Sequence, residues 1–372
     1  MKITCEKSEL QKGVNIVSKA VPSTTTMPVL YCILITAKDD KIILLANDME
    51  LAIQTELEGT ILSEGNVALN AKVFSDIVHK LEDSLVSIEV DENNLLTTIT
   101  CEKSEFQIGG NDGDEFVDLP DYKEQIASPI LISQFTLREL IRQTIFCVAT
   151  TEMGNKIMMG ELFDIKNNEL RVIALDGHRV AIRKTALKGD TPDKKLVVPG
   201  KTLNEIIKIL QSDINSSLDI YYTQNHIIFE FDKTVVVSRL IEGEFFHIDT
   251  MLSSDYETKI SLNKKNLLKS VERAILLTNE ADKKPLVLDI KDEVVEIKLK
   301  SAIGELYEEL YVSKEGRDLT IGFNAKFVLD ALRVIDDEEV TMYMSNSKAP
   351  CFIRDEEYNY IYLILPLNFA TI

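Results

Sequence analysis

Apolar residues recur every three to four positions in six stretches of the chain, which is the spacing of one face of an α-helix. The first stretch places Leu10, Val14 and Val17 on one side, and the fifth does the same with Leu267 and Val271. Each pattern predicts an amphipathic helix whose apolar side packs on a sheet. The predicted helices cover residues 8–20, 71–81, 136–148, 200–211, 263–276 and 324–335.

The stretches between these helices are rich in Val, Ile, Tyr, Phe and Thr and are broken by polar turns. Residues 84–108, 218–240 and 339–366 show this composition most clearly, and they predict short strands joined by hairpins. The fold class that follows is α+β, with helices packed on antiparallel sheets.

One helical stretch is repeated three times, which indicates tandem units. Lys72, Lys201 and Lys326 occupy equivalent places in the three copies, at spacings of 129 and 125 residues. An acidic residue follows each lysine four positions later, so we expect a local ion pair on each helix surface. Turn-forming and acidic residues accumulate near 109–121 and 242–255. The predicted domains, each with two helices on antiparallel sheets, are residues 1–125, 126–253 and 254–372.

The 372 residues carry a net charge of −20, which taken alone argues against nucleic acid as a partner. The charges are segregated, however. The six predicted helices hold 14 Lys and Arg against 6 Asp and Glu, a net of +8, whereas the other 297 residues hold 27 against 55, a net of −28. Helix propensity does not produce this difference, because Glu and Lys are comparably good helix formers.

The basic residues share helix faces, since they are mostly spaced by four or seven positions. For a single helix, an ordinary solvated face explains this spacing. Six such faces on an acidic chain favour a lining that contacts a phosphate backbone without reading its sequence. Double-stranded DNA is favoured over single strands, because aromatic platforms for unpaired bases are not evident on the helices. The candidate DNA-facing residues are Lys12, Lys19, Lys72, Lys80, Arg138, Arg142, Lys156, Lys201, Lys208, Lys265, Lys269, Arg273, Lys326 and Arg333.

The cysteines and histidines do not indicate a metal site or a disulfide framework. The five cysteines are far apart and mostly lie in apolar stretches, and the four histidines show no metal-ligand spacing. No metal, disulfide or other cofactor is expected. The N-terminal residues lack the apolar core of a signal peptide, and no run is long enough to cross a bilayer, so we expect a cytosolic protein without membrane partners.

Several segments together resemble a known family over the whole chain. They are Met27-Pro28-Val29-Leu30, the strand 43–50, the segment 174–181 with Asp176-Gly177-His178-Arg179, and the terminal run 362–367. The family is the bacterial sliding clamp, the β subunit of DNA polymerase III. The resemblance implies a clamp architecture in which two three-domain chains associate head to tail into a closed ring. Helices would line the hole around duplex DNA, and the sheets would form the outer layer.

The resemblance also implies a pocket for a short peptide with apolar anchors, carried by the replicative polymerase, the clamp loader and other clamp-binding proteins. Phe246, Thr250 and Asn368 depart from the family pattern, and residues 369–372 extend past its usual end. We expect that this apolar tail could compete with the incoming peptide. The matching pocket positions are Met158, Leu175, Gly177, His178, Arg179, Val180, Phe246, Thr250, Met251, Leu363, Ile364, Leu365, Pro366 and Leu367.

The dimer contact, by the same resemblance, pairs the strand around Phe106 and Ile108 with the region around Ile275 and Leu276. The alternative is that these four are core residues. Asp176-Gly177 can likewise be a simple hairpin turn with no ligand.

Three functions are compatible with the residues to different degrees. A non-enzymatic DNA clamp explains both the repeat and the basic helices, and it increases effective concentration without doing chemistry. An enzyme using Asp176, His178 and Arg179 is disfavoured, because neighbours on one strand alternate faces and no nucleophile cluster accompanies them. A repeat scaffold that binds only proteins leaves the basic helices unexplained. No phosphate-binding G-x-x-x-x-G-K-[ST] sequence is present, so ring opening is assigned to another protein.

Overall fold

The fold was analysed in a computed structural model that describes residues 1–119, 129–151, 155–189, 191–252, 255–278 and 284–368. The predicted domain boundaries at 125/126 and 253/254, and the tail 369–372, lie outside these residues.

Six α-helices form within the described ranges, at the six predicted places. Asparagine caps three of them, because the side chains of Asn70, Asn263 and Asn324 accept hydrogen bonds from backbone N–H groups of the first turn. The helices are α1 (Lys7–Val17), α2 (Ala71–Lys80), α3 (Gln134–Arg142), α4 (Gly200–Ile206), α5 (Lys264–Ile275) and α6 (Ala325–Val334).

Two of these helices are shorter than the apolar spacing predicts, so the predicted bounds 136–148 and 200–211 are wrong. After α3, the Thr144 hydroxyl donates to the carbonyls of Leu140 and Ile141, and a 3₁₀ turn follows. After α4, the N–H groups of Lys208 and Ile209 bond three residues back rather than four. The apolar spacing continues through both tightened segments, although regular α-helix does not.

Most of the regular structure is strand, and within the described ranges every pairing between strands is antiparallel. In chain order they are β1 (Lys2–Glu6), β2 (Cys32–Lys38), β3 (Lys41–Asn47), β4 (Leu51–Leu57), β5 (Thr60–Ser63), β6 (Gly65–Asn70), β7 (Leu85–Val90), β8 (Leu96–Cys101), β9 (Ser104–Gly109), β10 (Ile130–Ser133), β11 (Gly160–Lys166), β12 (Glu169–Leu175), β13 (Arg179–Ala186), β14 (Lys194–Pro199), β15 (Ser217–Tyr222), β16 (His226–Phe231), β17 (Thr234–Arg239), β18 (Thr258–Asn263), β19 (Leu286–Lys291), β20 (Val294–Lys300), β21 (Glu305–Tyr311), β22 (Ser313–Gly316), β23 (Leu319–Phe323), β24 (Glu339–Met344), β25 (Cys351–Arg354) and β26 (Tyr360–Ile364).

The chain forms two compact units. Unit 1 comprises Met1–Thr136 and Asn204–Leu240. It contains a five-stranded sheet in the order β5-β1-β7-β8-β9 and an eight-stranded sheet in the order β10-β15-β16-β17-β4-β3-β2-β6. The pairing of β17 with β4 joins strands from the first and second predicted domains in one sheet. Leu10, Val14 and Val17 of α1 are buried, as the apolar spacing predicts.

Unit 2 comprises Leu137–Leu203 and Ile241–Ile372. Its nine-stranded sheet has the order β14-β11-β12-β13-β26-β25-β24-β18-β22, and its four-stranded sheet has the order β21-β20-β19-β23. The pairing of β13 with β26 joins strands of the second and third predicted domains. Helices α5 and α6 pack together and contribute Leu267, Val271 and Leu332 to the core.

The observed architecture confirms the α+β class with antiparallel sheets. The helices of the described ranges are all too short or too polar to span a bilayer.

Candidate functional site

An apolar cavity of about 380 Å³ opens on unit 2, beside the end of β26. Its walls come from the β12–β13 turn, the last residues of β26, a 3₁₀ turn at Ile248–Met251 and the segment before β25. A cavity of this volume with an apolar lining can accept a few apolar groups of a ligand, but it offers little to a charged group. The lining residues are Met158, Leu175, Gly177, His178, Arg179, Val180, Phe246, Met251, Pro350, Leu363 and Leu365.

The turn that forms one rim of the cavity is Asp176-Gly177-His178. Gly177 has φ +85°, in the left-handed region that favours glycine. Asp176 Oδ1 accepts the backbone N–H groups of His178 and Arg179, at 3.0 and 3.1 Å. The N–H of Leu365 donates to the carbonyl of His178 at 2.9 Å, which extends the pairing of β13 with β26 to this rim.

Arg179 holds this rim against the helical layer of unit 2. Its guanidinium donates to Asp176 Oδ2 at 2.8 Å, to Asp330 Oδ2 at 2.7 Å and to the carbonyl of Phe146 at 2.7 Å. The same group lies over the Phe327 ring, with Cζ 4.4 Å from the ring centroid. Since Asp330 pairs with Arg179, the local ion pair expected between Asp330 and Lys326 is wrong.

A second arginine supports the opposite wall. Arg171 donates to Asp164 and, at 2.7 Å, to Asp249 of the 3₁₀ turn that carries Met251. Hydrogen bonding to Arg171 lowers the pKa of Asp249. The turn is therefore tied to strands β11 and β12, and both sides of the cavity are held by ion pairs.

Ten of the fourteen predicted pocket residues line the cavity, and four do not. Ile364 is buried in the cluster on the other face of the sheet. The Thr250 hydroxyl donates to the carbonyl of His247, and Thr250 faces a smaller neighbouring cavity. Pro366 and Leu367 follow β26, and the N–H of Leu367 donates to the carbonyl of Gly322.

Sequence reasoning missed Pro350. The signal that could have located it is the hairpin between β25 and β26, whose register places Cys351 opposite Ile364. Once that register is known, Pro350 must lie beside Leu365. The register itself is not evident from composition.

Eleven of the fourteen candidate DNA-facing residues lie on α-helices, in both units. Lys19 and Lys156 lie on 3₁₀ turns, and Lys208 lies in the turn after α4. Eleven are exposed, and Lys19, Arg138 and Arg142 are half-buried. Several take part in ion pairs: Arg142 with Glu139 and Asp336, Lys208 with Glu205, Arg273 with Glu308, and Arg333 with Glu272.

Five exposed lysines supply positive charge on the basic helix faces that no nearby carboxylate of the described residues neutralises. Lys12, Lys72, Lys265, Lys269 and Lys326 are exposed, and none has a carboxylate within ion-pair distance among the residues that the structure describes. Their ammonium groups remain able to attract a phosphate backbone.

Two sheet edges carry the predicted dimer residues or lie near them. Strand β9 is an edge of the five-stranded sheet, and Phe106 on it is 37% exposed. Leu276, just after α5, is 76% exposed, while Ile108 and Ile275 are half-buried. These exposures disfavour the core alternative for Phe106 and Leu276. Sequence reasoning missed Tyr311, which is 89% exposed on the edge strand β21.

One buried carboxyl lies elsewhere in unit 2. Glu161, at the start of β11, is fully buried and accepts a hydrogen bond from the Thr144 hydroxyl at 2.9 Å. Burial raises the pKa of Glu161 to about 8, and the bond from Thr144 opposes this rise. Among the described residues, no group of three or more His, Cys, Asp or Glu side chains converges as a metal site would require.

Comparisons with known proteins cover the full chain. Three domains of the DNA polymerase III beta subunit match it in succession: the N-terminal domain over residues 1–120, the central domain over 131–247 and the C-terminal domain over 249–368. The beta sliding clamp of Bacillus subtilis (strain 168) is 36% identical, over 99% of this chain and 100% of its own.

Solved structures give the same result. A chain from Eubacterium rectale described as a DNA polymerase III beta subunit has 54% identity and a TM-score of 0.95, covering 99% of this chain and 100% of that one. The DNA polymerase sliding clamp of Bacillus subtilis has 34% identity and a TM-score of 0.94, with both chains covered completely.

Proposed function

Since the chain belongs to the DNA polymerase III beta subunit family and is a DNA sliding clamp, we propose that two copies close head to tail into a ring around duplex DNA. The observation that carries this proposal is the match of all three clamp domains in order along the chain. We place the domains at residues 1–125, 126–253 and 254–372. The alternative of a protein-only scaffold is not favoured, because the relatives are sliding clamps.

The basic helix faces are the proposed DNA contact. Exposed lysines such as Lys72, Lys265 and Lys326 supply positive charge without base-reading geometry. Such contacts are independent of sequence and weaken steeply with salt, so they allow the ring to slide. The acidic remainder of the chain repels nucleic acid outside the hole.

The ring is proposed to close through the edges of the five-stranded and four-stranded sheets. Strand β9 of one chain would pair near β21 and the end of α5 of the other, which covers Phe106, Tyr311 and Leu276. Pairing two edge strands removes unsatisfied backbone groups and buries these apolar side chains. A species near twice 42.0 kDa in solution is the corresponding mass.

The apolar cavity of unit 2 is the proposed docking site for peptides of the replicative polymerase, the clamp loader and other clamp-binding proteins. Its rims are held by Arg179 and Arg171, so the ligand does not have to order them. Met251 and Leu365 are 48% and 39% exposed at its mouth and would be covered by apolar anchors.

We infer that the chain does no chemistry of its own. Asp176 and Arg179, which an enzyme would use, are committed to holding the turn and the helical layer. Their geometry explains a rigid docking site and leaves no free acid–base pair. A cytosolic location follows from the DNA that the ring encircles.

Retention on DNA tests the proposal. The chain is loaded on nicked circular DNA by a cognate clamp loader, and the DNA is then cut once. The loaded protein should remain on the circle and leave after linearisation, because a ring slides off a free end. A linear DNA blocked at both ends is the control and should retain it.

Equal release from circular and linear DNA would contradict encirclement. A solution mass near 42.0 kDa at concentrations well above those used for loading would contradict the dimer.

A further inference from the structure

An arginine stacked on tyrosine rings lies on the same sheet face as the apolar cavity. Arg354, the last residue of β25, is only 8% exposed. Its guanidinium lies between two tyrosine rings, with Cζ 3.8 Å from the centroid of Tyr343 and 4.1 Å from that of Tyr358. Arg354, Tyr343 and Tyr358 are called the arginine cage below. Stacking of this kind fixes the plane of the guanidinium and leaves its edge as the donor surface.

The donors at this edge are largely unused. In the part of the chain that the structure describes, Arg354 makes one hydrogen bond, from Nη1 to the carbonyl of Asp355 at 3.4 Å, and no carboxylate lies within 4.0 Å of it. The fully buried side-chain nitrogen and oxygen atoms without a partner in the described ranges belong to Glu161 and Tyr362. The unpaired nitrogens of Arg354 therefore reach the solvent.

The acidic residues next to the cage are held elsewhere. The Asp355 carboxylate accepts from the backbone and side-chain nitrogens of Asn359, both at 2.7 Å. Glu357 accepts from the same Asn359 side chain at 3.1 Å. The turn after β25 thus does not supply a counterion for Arg354, although it carries acids.

The register of the sheet places the cage beside the cavity. Phe352 is opposite Leu363, and Arg354 is opposite Ile361, so Phe352 and Arg354 lie on one face. Phe352, Ile361 and Leu363 belong to the apolar cluster that backs the cavity. Arg354 is two residues beyond Phe352 on an extended strand, a distance of about 7 Å. A peptide anchored in the cavity can span this distance.

We propose that the arginine cage binds a carboxylate of the docked peptide, from an Asp or Glu side chain or a free C-terminus, while the apolar anchors of that peptide occupy the cavity. The guanidinium edge would donate a fork of two parallel hydrogen bonds to the carboxylate oxygens. This inference rests on the proposed function. It adds that the peptide docked in the apolar cavity must also carry a negative charge.

The test uses short acetylated peptides with adjacent Leu and Phe anchors and one Glu placed two, three or four residues to either side, each paired with its Gln counterpart. Dissociation constants are measured with the full chain at about 50 mM and about 500 mM NaCl. For at least one placement, Glu should bind about tenfold more tightly than Gln at low salt, because the new hydrogen bonds involve charged groups on both sides.

Variants assign the preference to the cage. Arg354→Gln should abolish it, and Arg354→Lys should retain only part of it, since an ammonium lacks the planar fork. Arg183→Gln is the matched control, because Arg183 lies on the other face of the same sheet, 5.7 Å from the Tyr360 ring. Tyr358→Asn removes one wall at an exposed position with φ +58°, which asparagine tolerates, and it should weaken the preference even if Arg354→Gln does not fold.

The outcomes separate this inference from the function on which it rests. Equal affinity for Glu and Gln at every placement, or a preference that survives Arg354→Gln, overturns the carboxylate site and leaves the cavity intact. Failure of all the peptides to bind overturns the docking role of the cavity, and the cage proposal falls with it.

Discussion

The cavity of unit 2 and the basic helix faces, the two proposed binding surfaces, differ in how their charged groups are engaged. Around the cavity, the polar groups of Asp176, Arg179 and Arg171 are engaged with other protein groups, and the surface left open is apolar. On the helix faces, lysines such as Lys269 and Lys326 are exposed and have no carboxylate partner among the described residues.

The cavity is suited to binding a ligand by shape, and the helix faces are suited to binding a ligand by charge. A cavity with fixed walls gains affinity when the ligand fits, so one altered wall residue has a large effect. A set of mobile ammonium groups gains affinity by number, so the loss of one changes little. The predictions below test this contrast, beginning with the largest expected effect.

Arg179→Ala should give the largest loss. It removes a buried cation from Asp176 and Asp330, which costs about 3–5 kcal/mol when one partner of a buried pair is deleted. Thermal unfolding should report a marked decrease in stability, and peptide affinity should fall as the rim loosens. Arg183→Ala, four residues further along the same strand, should have a much smaller effect, because Arg183 is half-buried and lies beside the Tyr360 ring. Equal losses in the two variants would contradict the role assigned to Arg179.

Met251→Glu should weaken peptide binding about 30-fold without unfolding the chain, because a carboxylate would be desolvated when an apolar anchor enters the cavity. Met251 is 48% exposed, so the free protein accommodates the charge in water. Met49→Glu is the matched control, since Met49 is 55% exposed in unit 1. Binding is measured by fluorescence anisotropy, and similar affinities for both variants would mean that the cavity wall does not contact the peptide.

Glu161→Gln should change how unit 2 responds to pH. A carboxyl whose pKa is about 8 when folded, above its ordinary value of 4.5, binds its proton more tightly in the folded state. Stability should therefore fall as pH rises between these values, by about 1 kcal/mol from pH 6 to pH 7. Melting temperatures across this range should fall less steeply in Glu161→Gln. An unchanged slope would show that Glu161 is not the group responsible.

Lys269→Gln should have a small effect, a decrease of about twofold in DNA affinity at low salt and a slightly lower salt dependence. Arg333→Gln should change binding even less, because Glu272 already neutralises part of the Arg333 charge at 3.2 Å. DNA binding is measured against salt concentration. A decrease of more than about tenfold in DNA affinity from Lys269→Gln alone would show that Lys269 makes a specific contact with DNA, rather than contributing only to the net charge of the helix face.

The sequence predicted the helices well where the apolar residues follow a single helical period. Apolar spacing located α1, α5 and α6 to within a few residues, since their buried faces follow a helical period without interruption. It did not predict the ends of α3 and α4, because Thr144 and the tightened turn at Lys208 keep the apolar spacing while changing the hydrogen bonding.

The candidate site was less accessible to sequence reasoning. Val180 and Leu363 could be proposed from a family resemblance, but their neighbours come from sheet pairing over long sequence separations. The contacts of Arg179 with Phe146 and Asp330, and the position of Arg354 between two tyrosines, depend on that pairing. No local pattern encodes them.

The position of β26 has a consequence for how the protein is made. This strand, Tyr360–Ile364, lies between β13 and β25 in the middle of the nine-stranded sheet. A ribosome that has translated the chain through Ala186 has produced β11, β12 and β13, but the flank of β13 that β26 will occupy stays open until residue 364 has emerged. During that interval an apolar edge is exposed to other nascent chains, so this is the stage of biosynthesis at which a holding chaperone would matter most.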